Sequence, residues 1–214
     1  MTTKQKIVLI GTVLGDAYLQ KTGKKNARLR LEHSINQKEY LNWKVSLFKN
    51  YFQSKIQILH RMNTVWKRTY SYVRAQSTSS AEFGKFRRLF YNESKKIIPQ
   101  TINALFKNPL SLAIWFMDDG YYYSRDKMSY IYISNFDKES MGRLLFCLRN
   151  NFNLSPTLKQ KKKGFVLIFN VLETQRLMFL IEKFIIPTMR YKIPFDPVST
   201  EQNPLKKESS EMVA

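Results

Sequence analysis

The sequence is poor in cysteine, histidine and acidic residues: it has one Cys, two His and 16 Asp and Glu, against 36 Lys and Arg. The lone thiol, Cys147, excludes a disulfide within the chain and favours a reducing compartment. One Cys and two His cannot form a classical zinc-binding pattern. No apolar stretch reaches the roughly 18 residues that a membrane-spanning helix needs. We therefore expect neither a disulfide-stabilised protein, nor a zinc finger, nor a membrane protein.

The excess of basic side chains is the dominant property of the composition. The net charge is +20 at pH 7, and most of the excess lies in the first 105 residues. Such a charge indicates a polyanionic partner, and double-stranded DNA is a better candidate than a membrane surface. Hydrophobic residues make up 43%, which is enough for a folded core. The many Lys, Asn, Ile, Phe and Tyr residues correspond to AT-rich codons and predict an intracellular, organellar protein of a mitochondrion or chloroplast.

Two apolar segments, about a hundred residues apart, each end in an aspartate next to a small residue. The first reads LIGTVLGDA over residues 9–17 and the second reads LAIWFMDDG over residues 112–120. A segment that is apolar on all sides predicts a buried helix. We expect one helix from about Gln5 to Leu19 and another that starts after Asn108-Pro109 with Ser111 as its N-cap.

The two aspartates, Asp16 and Asp119, would be costly unless a cation bound them. Each lies at the C-terminal end of a helix, where the helix dipole disfavours a negative charge by ~0.3–1 kcal/mol. Gly11 and Gly15 would let the helices pack closely, and two like charges brought together raise carboxylate pKa values. A divalent cation bound by both carboxylates removes each penalty. Hard oxygen ligands without a thiolate or imidazole cluster predict Mg²⁺, with Mn²⁺ as a substitute.

Both segments resemble the motif of the LAGLIDADG homing endonucleases, specifically the single-chain type that carries two motifs in one polypeptide. Aligned on that motif, Asp119 occupies the metal position and Asp118 the preceding one, which is Gly15 in the first copy. The resemblance implies a metal site of Asp16, Asp119, Gly15 and Asp118, with Asp16 and Asp119 as catalytic residues. The family usually has Gly after the aspartate, and Ala17 is small enough to replace it.

The same resemblance implies two catalytic lysines. In single-chain members of the family, a lysine beside an Ile-Pro or Leu-Pro step in each half lies near the active sites. Here Lys96 precedes an Ile-Ile-Pro step and Lys192 precedes an Ile-Pro step. However, aligning the two Ile-Ile-Pro steps of the chain places Lys183 opposite Lys95. The second active-site lysine is therefore either Lys192, which the resemblance favours, or Lys183.

Short segments recur in the same order in the two parts of the chain, which indicates an internal duplication. For example, KNYF at 49–52 recurs as RNNF at 149–152. Hydrophobic periodicity predicts an α/β (α+β) fold of two pseudo-twofold related αββαββα halves, packed through the motif helices. We expect an N-terminal half at 1–105, a C-terminal half at 106–198 and a loose tail at 199–214. Antiparallel sheets of both halves would form a DNA-binding saddle, and the chain would act as a monomer.

The strands supply the predicted DNA-binding surface, because two-stranded β-ribbons fit the major groove of B-DNA. We expect a hairpin with strands at 55–60 and 64–76 that turns at Arg61-Met-Asn63, with Trp66 on the same strand face as its polar neighbours. Thr174 is expected to open the last helix. Arginines and glutamine suit base edges, whereas loop lysines suit phosphates. The candidate DNA-binding residues are Lys21, Lys24, Lys25, Arg28, Arg30, Arg61, Lys67, Arg68, Tyr70, Tyr72, Arg74, Gln76, Arg125, Lys127, Lys159, Lys161, Lys162 and Lys163.

The activity implied by the resemblance is metal-dependent endonuclease cleavage of DNA. Such an enzyme makes a double-strand break in a long, nearly asymmetric site, leaves short 3′ overhangs and serves intron or intein mobility. The alternative is a group I intron maturase, an RNA-binding splicing factor on the same fold. A DNA-binding regulator without catalysis is less favoured, because neither Asp16 nor Asp119 is missing.

Overall fold

The computed structural model describes residues 1–133, 136–161 and 164–194. It confirms a mixed α/β fold in which the element order αββαββα occurs twice. The first half contains α1 (Thr3–Leu14), β1 (Tyr18–Lys21), β2 (Ala27–Ser34), α2 (Lys38–Leu47), β3 (Gln57–Asn63), β4 (Arg68–Gln76) and α3 (Ala81–Phe90). The connection contains β5 (Tyr91–Asn92), β6 (Lys95–Lys96) and α4 (Ile102–Leu105). The second half contains α5 (Pro109–Asp119), β7 (Gly120–Tyr123), β8 (Met128–Ile133), α6 (Lys138–Phe152), β9 (Thr157–Lys161), β10 (Gly164–Phe169) and α7 (Val171–Ile181).

Some predictions concern residues that the structure does not describe. The predicted tail at 199–214 and the candidate DNA-binding residues Lys162 and Lys163 lie outside the described ranges. Within those ranges, no helix is both long enough and apolar enough to span a membrane.

Helix α1 positions the first predicted metal ligand. It begins with a capping box at Thr2, which satisfies backbone N–H groups of the first turn. The helix ends at Leu14, earlier than the predicted end at Leu19, because the ψ angle of Gly15 is −133° and leaves the helical region. Asp16 therefore lies in the short connection between α1 and β1 rather than inside a helix.

Helix α5 begins earlier than predicted. Asn108, not Ser111, is its N-cap, and the Asn108 side chain accepts a hydrogen bond from the backbone N–H of Leu110 at 2.9 Å. Pro109 takes the first helical position, where its missing N–H costs nothing. Ser111 lies inside the helix at the contact with α1. A Cβ at Gly11 would lie 2.3 Å from the Ser111 carbonyl oxygen, so the close approach of the two motif helices requires a glycine there.

Each half contains one four-stranded antiparallel sheet, with strand order β1-β2-β4-β3 in the first half and β7-β8-β10-β9 in the second. Helices α2 and α3 pack against the first sheet, and α5 and α7 pack against the second. Along β2, Leu29 and Leu31 are buried toward the helices, while Arg28 and Arg30 alternate with them on the opposite side. We call this opposite side of each sheet its outward side.

The β3–β4 hairpin turns later than predicted. Its turn is formed by residues 64–67 and not by residues 61–63. The side-chain oxygen of Asn63 accepts hydrogen bonds from two backbone N–H groups of this turn, both at 3.0 Å, which stabilises it at that place. As a result Trp66 lies in the turn and not on a strand face, whereas Arg61 lies within β3.

Helix α7 also starts earlier than predicted. Asn170 is its N-cap, with its side chain accepting a hydrogen bond from the Glu173 N–H at 2.9 Å, so the prediction that Thr174 opens the helix is wrong. Thr174 lies inside the helix, where its hydroxyl accepts a hydrogen bond from the backbone N–H of Ser129 at 2.8 Å. That contact joins the helix to β8 of the second sheet.

Candidate active site

The C-terminal ends of α1 and α5 meet and bring three carboxylates into one cluster. The backbone N–H of Asp16 donates to Oδ2 of Asp118, with an N···O distance of 3.3 Å. Gly15 makes room for this contact, because a Cβ there would lie 2.4 Å from the same oxygen. Asp119 is the last residue of α5. The two predicted metal ligands, Asp16 and Asp119, thus belong to the same small region, as the packing of the motif helices requires.

The charged forms of two carboxyl groups in this cluster are disfavoured. Burial, and then the charges of Asp16 and Asp118, raise the pKa of Asp119 to about 8. Desolvation and then the charge of Asp118 raise the pKa of Asp16 to about 6, against the opposing effect of nearby lysines and although 42% of the Asp16 side chain is exposed. Two carboxyl groups whose charged forms are disfavoured are suited to binding a cation.

Two lysines approach the cluster in similar ways, and Lys192 donates in addition to the carbonyl oxygen of Met117 at 2.6 Å. The ammonium of Lys96 donates to the carbonyl oxygen of Gly15 at 2.8 Å, and that of Lys192 donates to the carbonyl oxygen of Asp118 at 2.8 Å. Each lysine therefore binds the residue that precedes one of the two aspartates. Lys183, by contrast, is exposed and lies over the ring of Phe184, 5.2 Å from its centroid. Geometry thus favours Lys192 over Lys183 as the counterpart of Lys96, although the catalytic roles stay a prediction.

Burial lowers the pKa of both Lys96 and Lys192, while the neighbouring aspartates oppose that change. The two amino groups therefore lie near the carboxylates in partly dehydrated surroundings, where electrostatic interactions are stronger than in water. Their donors are available to stabilise additional negative charge beside the cluster.

The raised pKa of Asp119 predicts a specific pH dependence for the metal-free protein. Its folded-state pKa is about 8, whereas the ordinary value is 3.8, so between these values the folded state holds a proton that the unfolded chain has lost. The contribution of Asp119 to the free energy of unfolding is fully present below pH 3.8 and decreases as the pH rises toward 8. We expect Asp119→Asn to gain stability relative to wild type from pH 5 to pH 8, by at most about 1.4 kcal/mol per pH unit.

Urea unfolding in EDTA at several pH values measures this difference. Glu139→Gln, at an exposed position on α6, is the matched control and should follow wild type. Parallel pH curves for wild type and Asp119→Asn would contradict the prediction.

Asp118 has a buried partner that the sequence analysis missed. Its Oδ1 lies 2.5 Å from the ammonium of Lys44 and accepts a hydrogen bond from the Tyr40 hydroxyl at 2.8 Å. Lys44 and the Asp118 side chain are both fully buried. The carboxylate of Asp118 is thus held by Lys44 and Tyr40 of α2, and its part in metal binding stays a prediction. The main-chain carbonyls of Gly15 and Asp118 already accept hydrogen bonds from Lys96 and Lys192.

A signal for Lys44 was present in the sequence. Tyr40 and Lys44 are four residues apart on the same face of α2, Phe48 follows four residues later at the end of the helix, and all three are completely buried. A lysine at the centre of an apolar stripe requires a buried acid, since an unpaired buried charge is very costly. The spacing does not show which acid pairs with Lys44. His33 extends the cluster, with one ring nitrogen 3.3 Å from the Lys44 ammonium, and burial lowers its pKa to about 3.

The existing contacts of Lys44 limit where a divalent cation could bind in this cluster. Ligand atoms of Asp16, His33 and Asp118 lie within 4.8 Å of one another. The buried ammonium of Lys44 contacts both His33 and Asp118, so a further cation between those two would meet strong repulsion. The carboxylates of Asp16 and Asp119 remain, and paired carboxylates are the ligands that Mg²⁺ and Mn²⁺ prefer. The chemistry of these two carboxylate donors suits such an ion.

The outward side of the first sheet carries most of the predicted DNA-binding residues. Glu32 accepts hydrogen bonds from Arg61 at 3.0 Å and from Arg74 at 2.7 Å, which fixes both guanidinium groups. Burial alternation and strand register place on the same side Arg28, Arg30, Arg68, Tyr70, Tyr72 and Gln76. Lys21 ends β1, Lys24 and Lys25 lie in the exposed β1–β2 loop, and Lys67 lies in the hairpin turn.

In the second half, the predicted basic residues lie at the periphery of the sheet. Arg125 and Lys127 are exposed in the β7–β8 turn, and Arg125 pairs with Asp126 at 3.0 Å. Lys159 and Lys161 are exposed on the edge strand β9. The structure thus brings basic residues of both halves to exposed sheet surfaces, while their contacts with DNA stay a prediction.

Two αββαββα repeats that meet through two apolar helices, with an aspartate at or just after the C-terminal end of each, define a protein of the LAGLIDADG class. Residues 6–177 match the sequence model of the LAGLIDADG DNA endonuclease family. The chain belongs to that family.

Known relatives and solved structures cover nearly the whole chain. A probable intron-encoded endonuclease 1 of Wickerhamomyces canadensis is 30% identical, over 91% of this chain and 87% of the relative. The cytochrome b mRNA maturase bI2 of Debaryomyces hansenii is 26% identical, over 87% of this chain and 72% of the relative. The structure of the homing endonuclease I-WcaI bound to its DNA recognition sequence has a TM-score of 0.83 and 29% identity, covering 91% of this chain and 88% of that one.

Proposed function

We propose that this chain is a site-specific homing endonuclease that makes a metal-dependent double-strand break in a long DNA site. The observation that carries the proposal is the pair of aspartates, Asp16 and Asp119, where the two motif helices meet. Each has a lysine bound to the carbonyl that precedes it. The similarity of the chain to an intron-encoded endonuclease and to I-WcaI supports the same proposal.

Asp16 and Asp119 would hold Mg²⁺, or Mn²⁺ in its place. When bound, the ion lowers the pKa of an attacking water and stabilises charge on the phosphate. The chain's own groups then act on the DNA. Lys96 and Lys192 neutralise negative charge that develops on phosphate oxygens during cleavage, one lysine from each half. The buried ion pair of Lys44 and Asp118 keeps the helix ends in register so that both carboxylates stay in place.

The outward sides of the two sheets would bind the DNA. A two-stranded β-ribbon such as β3–β4 fits the major groove, where arginine and glutamine side chains pair with base edges. The exposed lysines of the loops would bind phosphates and set the position of the protein on the duplex. Because both motif helices are present in one chain and already pack together, we propose that a monomer cuts both strands.

A group I intron maturase is the second candidate function, since the cytochrome b mRNA maturase bI2 is among the relatives. Maturases often lack one of the catalytic carboxylates, whereas this chain retains Asp16 and Asp119. That retention favours the endonuclease. An organellar location is proposed as well, in keeping with AT-rich codons and intron-encoded relatives.

Selection from a randomised DNA library in the presence of Mg²⁺ tests the proposed function. We expect recovery of one long cleaved site, double-strand breaks with short 3′ overhangs, and no cleavage in EDTA. A parallel arm measures binding and splicing of a group I intron RNA by the same protein. If no duplex is cut while the intron RNA is bound and its splicing is promoted, the maturase function replaces the endonuclease.

A further inference from the structure

The outward sides of the two sheets differ in chemistry although the sheets share one topology. In an antiparallel pair, residues directly opposite each other in the register lie on the same side. By this rule the first sheet presents five arginines outward, accompanied by amide side chains such as Gln76. The arginines are Arg28, Arg30, Arg61, Arg68 and Arg74. These planar donors suit the acceptors of guanine and the edge of adenine.

The second sheet presents mainly tyrosines and aliphatic side chains. Its register places on the outward side Tyr121, Tyr123, Met128, Tyr130, Tyr132 and Ile168. Among the outward residues of its described strands, the only charged ones are Lys159 and Lys161, on the edge strand β9. None of the outward residues in those strands is Arg, Asn, Gln, Asp or Glu. Among the outward residues of these described strands, the arginine and amide groups of the first sheet have no counterpart.

The tyrosines form a stacked and ordered surface. The ring of Tyr121 stacks on that of Tyr130, with centroids 5.0 Å apart, and on that of Tyr132, with centroids 5.8 Å apart. Interplanar angles of 11° and 14° show that the three rings are nearly parallel. Tyr121 lies two residues after Asp119, so this surface begins directly at the active site. Tyr132 is 49% exposed and is available for contact.

The surroundings of the tyrosines fit a nucleic acid better than a protein partner. Arg125 and Lys127 lie in the turn at one end, and the guanidinium of Arg125 lies over the ring of Tyr123 at 5.2 Å. Lys159 and Lys161 border the surface on β9. An apolar centre with a basic border can contact bases at its centre and phosphates at its edges.

We infer that the two halves read chemically different half-sites: the first sheet reads guanine and adenine edges, and the second reads thymine methyl groups. The inference rests on the proposed function and names the substrate that the two sheets would select. Contact with the thymine methyl group is the means by which apolar surfaces of side chains, such as aromatic rings, distinguish base pairs in the major groove. The half-site under the second sheet is therefore rich in A·T pairs next to the scissile phosphates.

Base analogues test the inference on the site that the library selection recovers. Deoxyuridine in place of thymidine removes only the methyl group and keeps all hydrogen-bonding groups of the base. Binding in Ca²⁺ should weaken by about fourfold for each contacted methyl in the second half-site, from the transfer free energy of one methyl-sized group. The same change in the first half-site should have little effect. Deazaguanine without N7 should weaken binding about fivefold or more in the first half-site only.

Protein variants identify the half-sites and the surface. Arg68→Ala should relax base preference in one half-site, which marks the half-site of the first sheet. Tyr132→Ala should remove the deoxyuridine effect at the positions in the other half-site that Tyr132 contacts, whereas Tyr132→Phe, which keeps the ring, should retain that sensitivity. Phe179→Ala is the matched control, because Phe179 is 86% exposed on α7, away from the outward side. Thermal unfolding of each variant shows that the fold is kept.

The outcomes separate the inference from the proposed function. Equal deoxyuridine effects in both half-sites, or none in the second, would overturn the inference and leave the endonuclease function standing. A Tyr132→Ala variant that keeps full sensitivity to deoxyuridine would also overturn it. The absence of any cleaved duplex would overturn the proposed function, and the half-site inference with it.

Discussion

Replacing Asp16 or Asp119 by asparagine is expected to lower DNA cleavage by orders of magnitude while leaving DNA binding intact or slightly stronger. Asparagine keeps the size and much of the hydrogen bonding of the side chain but removes the charge that would hold the cation. Without that charge the activated water and the stabilisation of the phosphate are lost. Binding survives, because removal of a negative charge near the phosphates strengthens electrostatic attraction.

A plasmid that carries the selected site, incubated in Mg²⁺, measures the cleavage rates. Binding of the same DNA is measured in Ca²⁺, whose looser coordination supports ligand binding but activates water poorly. Glu139→Gln, on the exposed side of α6, controls for the loss of one carboxylate and should cut at the wild-type rate. If Asp16→Asn and Asp119→Asn both cut as fast as wild type, the assignment of the active site is wrong, although the chain still belongs to the family.

Replacing Lys44 by methionine should destabilise the fold by about 3–5 kcal/mol, since it leaves a buried carboxylate without its cation. The ammonium of Lys44 lies 2.5 Å from Asp118, and both side chains are completely buried. Methionine fills a similar volume, so the loss is mainly electrostatic. This is a large fraction of the roughly 5–15 kcal/mol by which domains are stable. Denaturant unfolding in EDTA, with and without the change, measures the effect.

The double variant Lys44→Met with Asp118→Asn isolates the ion pair. The asparagine introduced by the second change is neutral and can still accept the hydrogen bond from the Tyr40 hydroxyl. We expect the double variant to recover most of the stability lost in Lys44→Met, with a coupling energy of at least about 1 kcal/mol. Strictly additive losses would show that the two side chains do not depend on each other, and the proposed positioning role of this pair would fail.

The contact at Asp118 also explains an asymmetry between the two motifs. The first motif has Gly15 where the second has Asp118, and a Cβ at Gly15 would lie 2.4 Å from the Asp118 carboxylate. Only one of the two motifs can therefore carry a side chain at this position. Gly15 of the first half leaves the space that the buried Asp118 side chain of the second half occupies.

Much of the fold follows from local patterns in the sequence. All-round apolar segments predict the motif helices, and alternation predicts β2, where Leu29 and Leu31 are buried and Arg28 and Arg30 are not. The family motif placed Asp16 and Asp119 in one region. Details at element ends were predicted wrongly. Asn108 in place of Ser111 caps α5, because several polar residues near a helix start can serve as the N-cap and packing selects among them.

The sequence by itself determined the duplicated αββαββα order, the two aspartates that end the motifs and the excess of positive charge, because these depend on residue type and spacing along the chain. Only the tertiary structure decided which lysines meet the aspartates. Lys44 pairs with Asp118, and Lys192 rather than Lys183 binds the Asp118 carbonyl. These contacts join residues far apart in the chain, so their formation depends on how the helices pack and not on any local pattern.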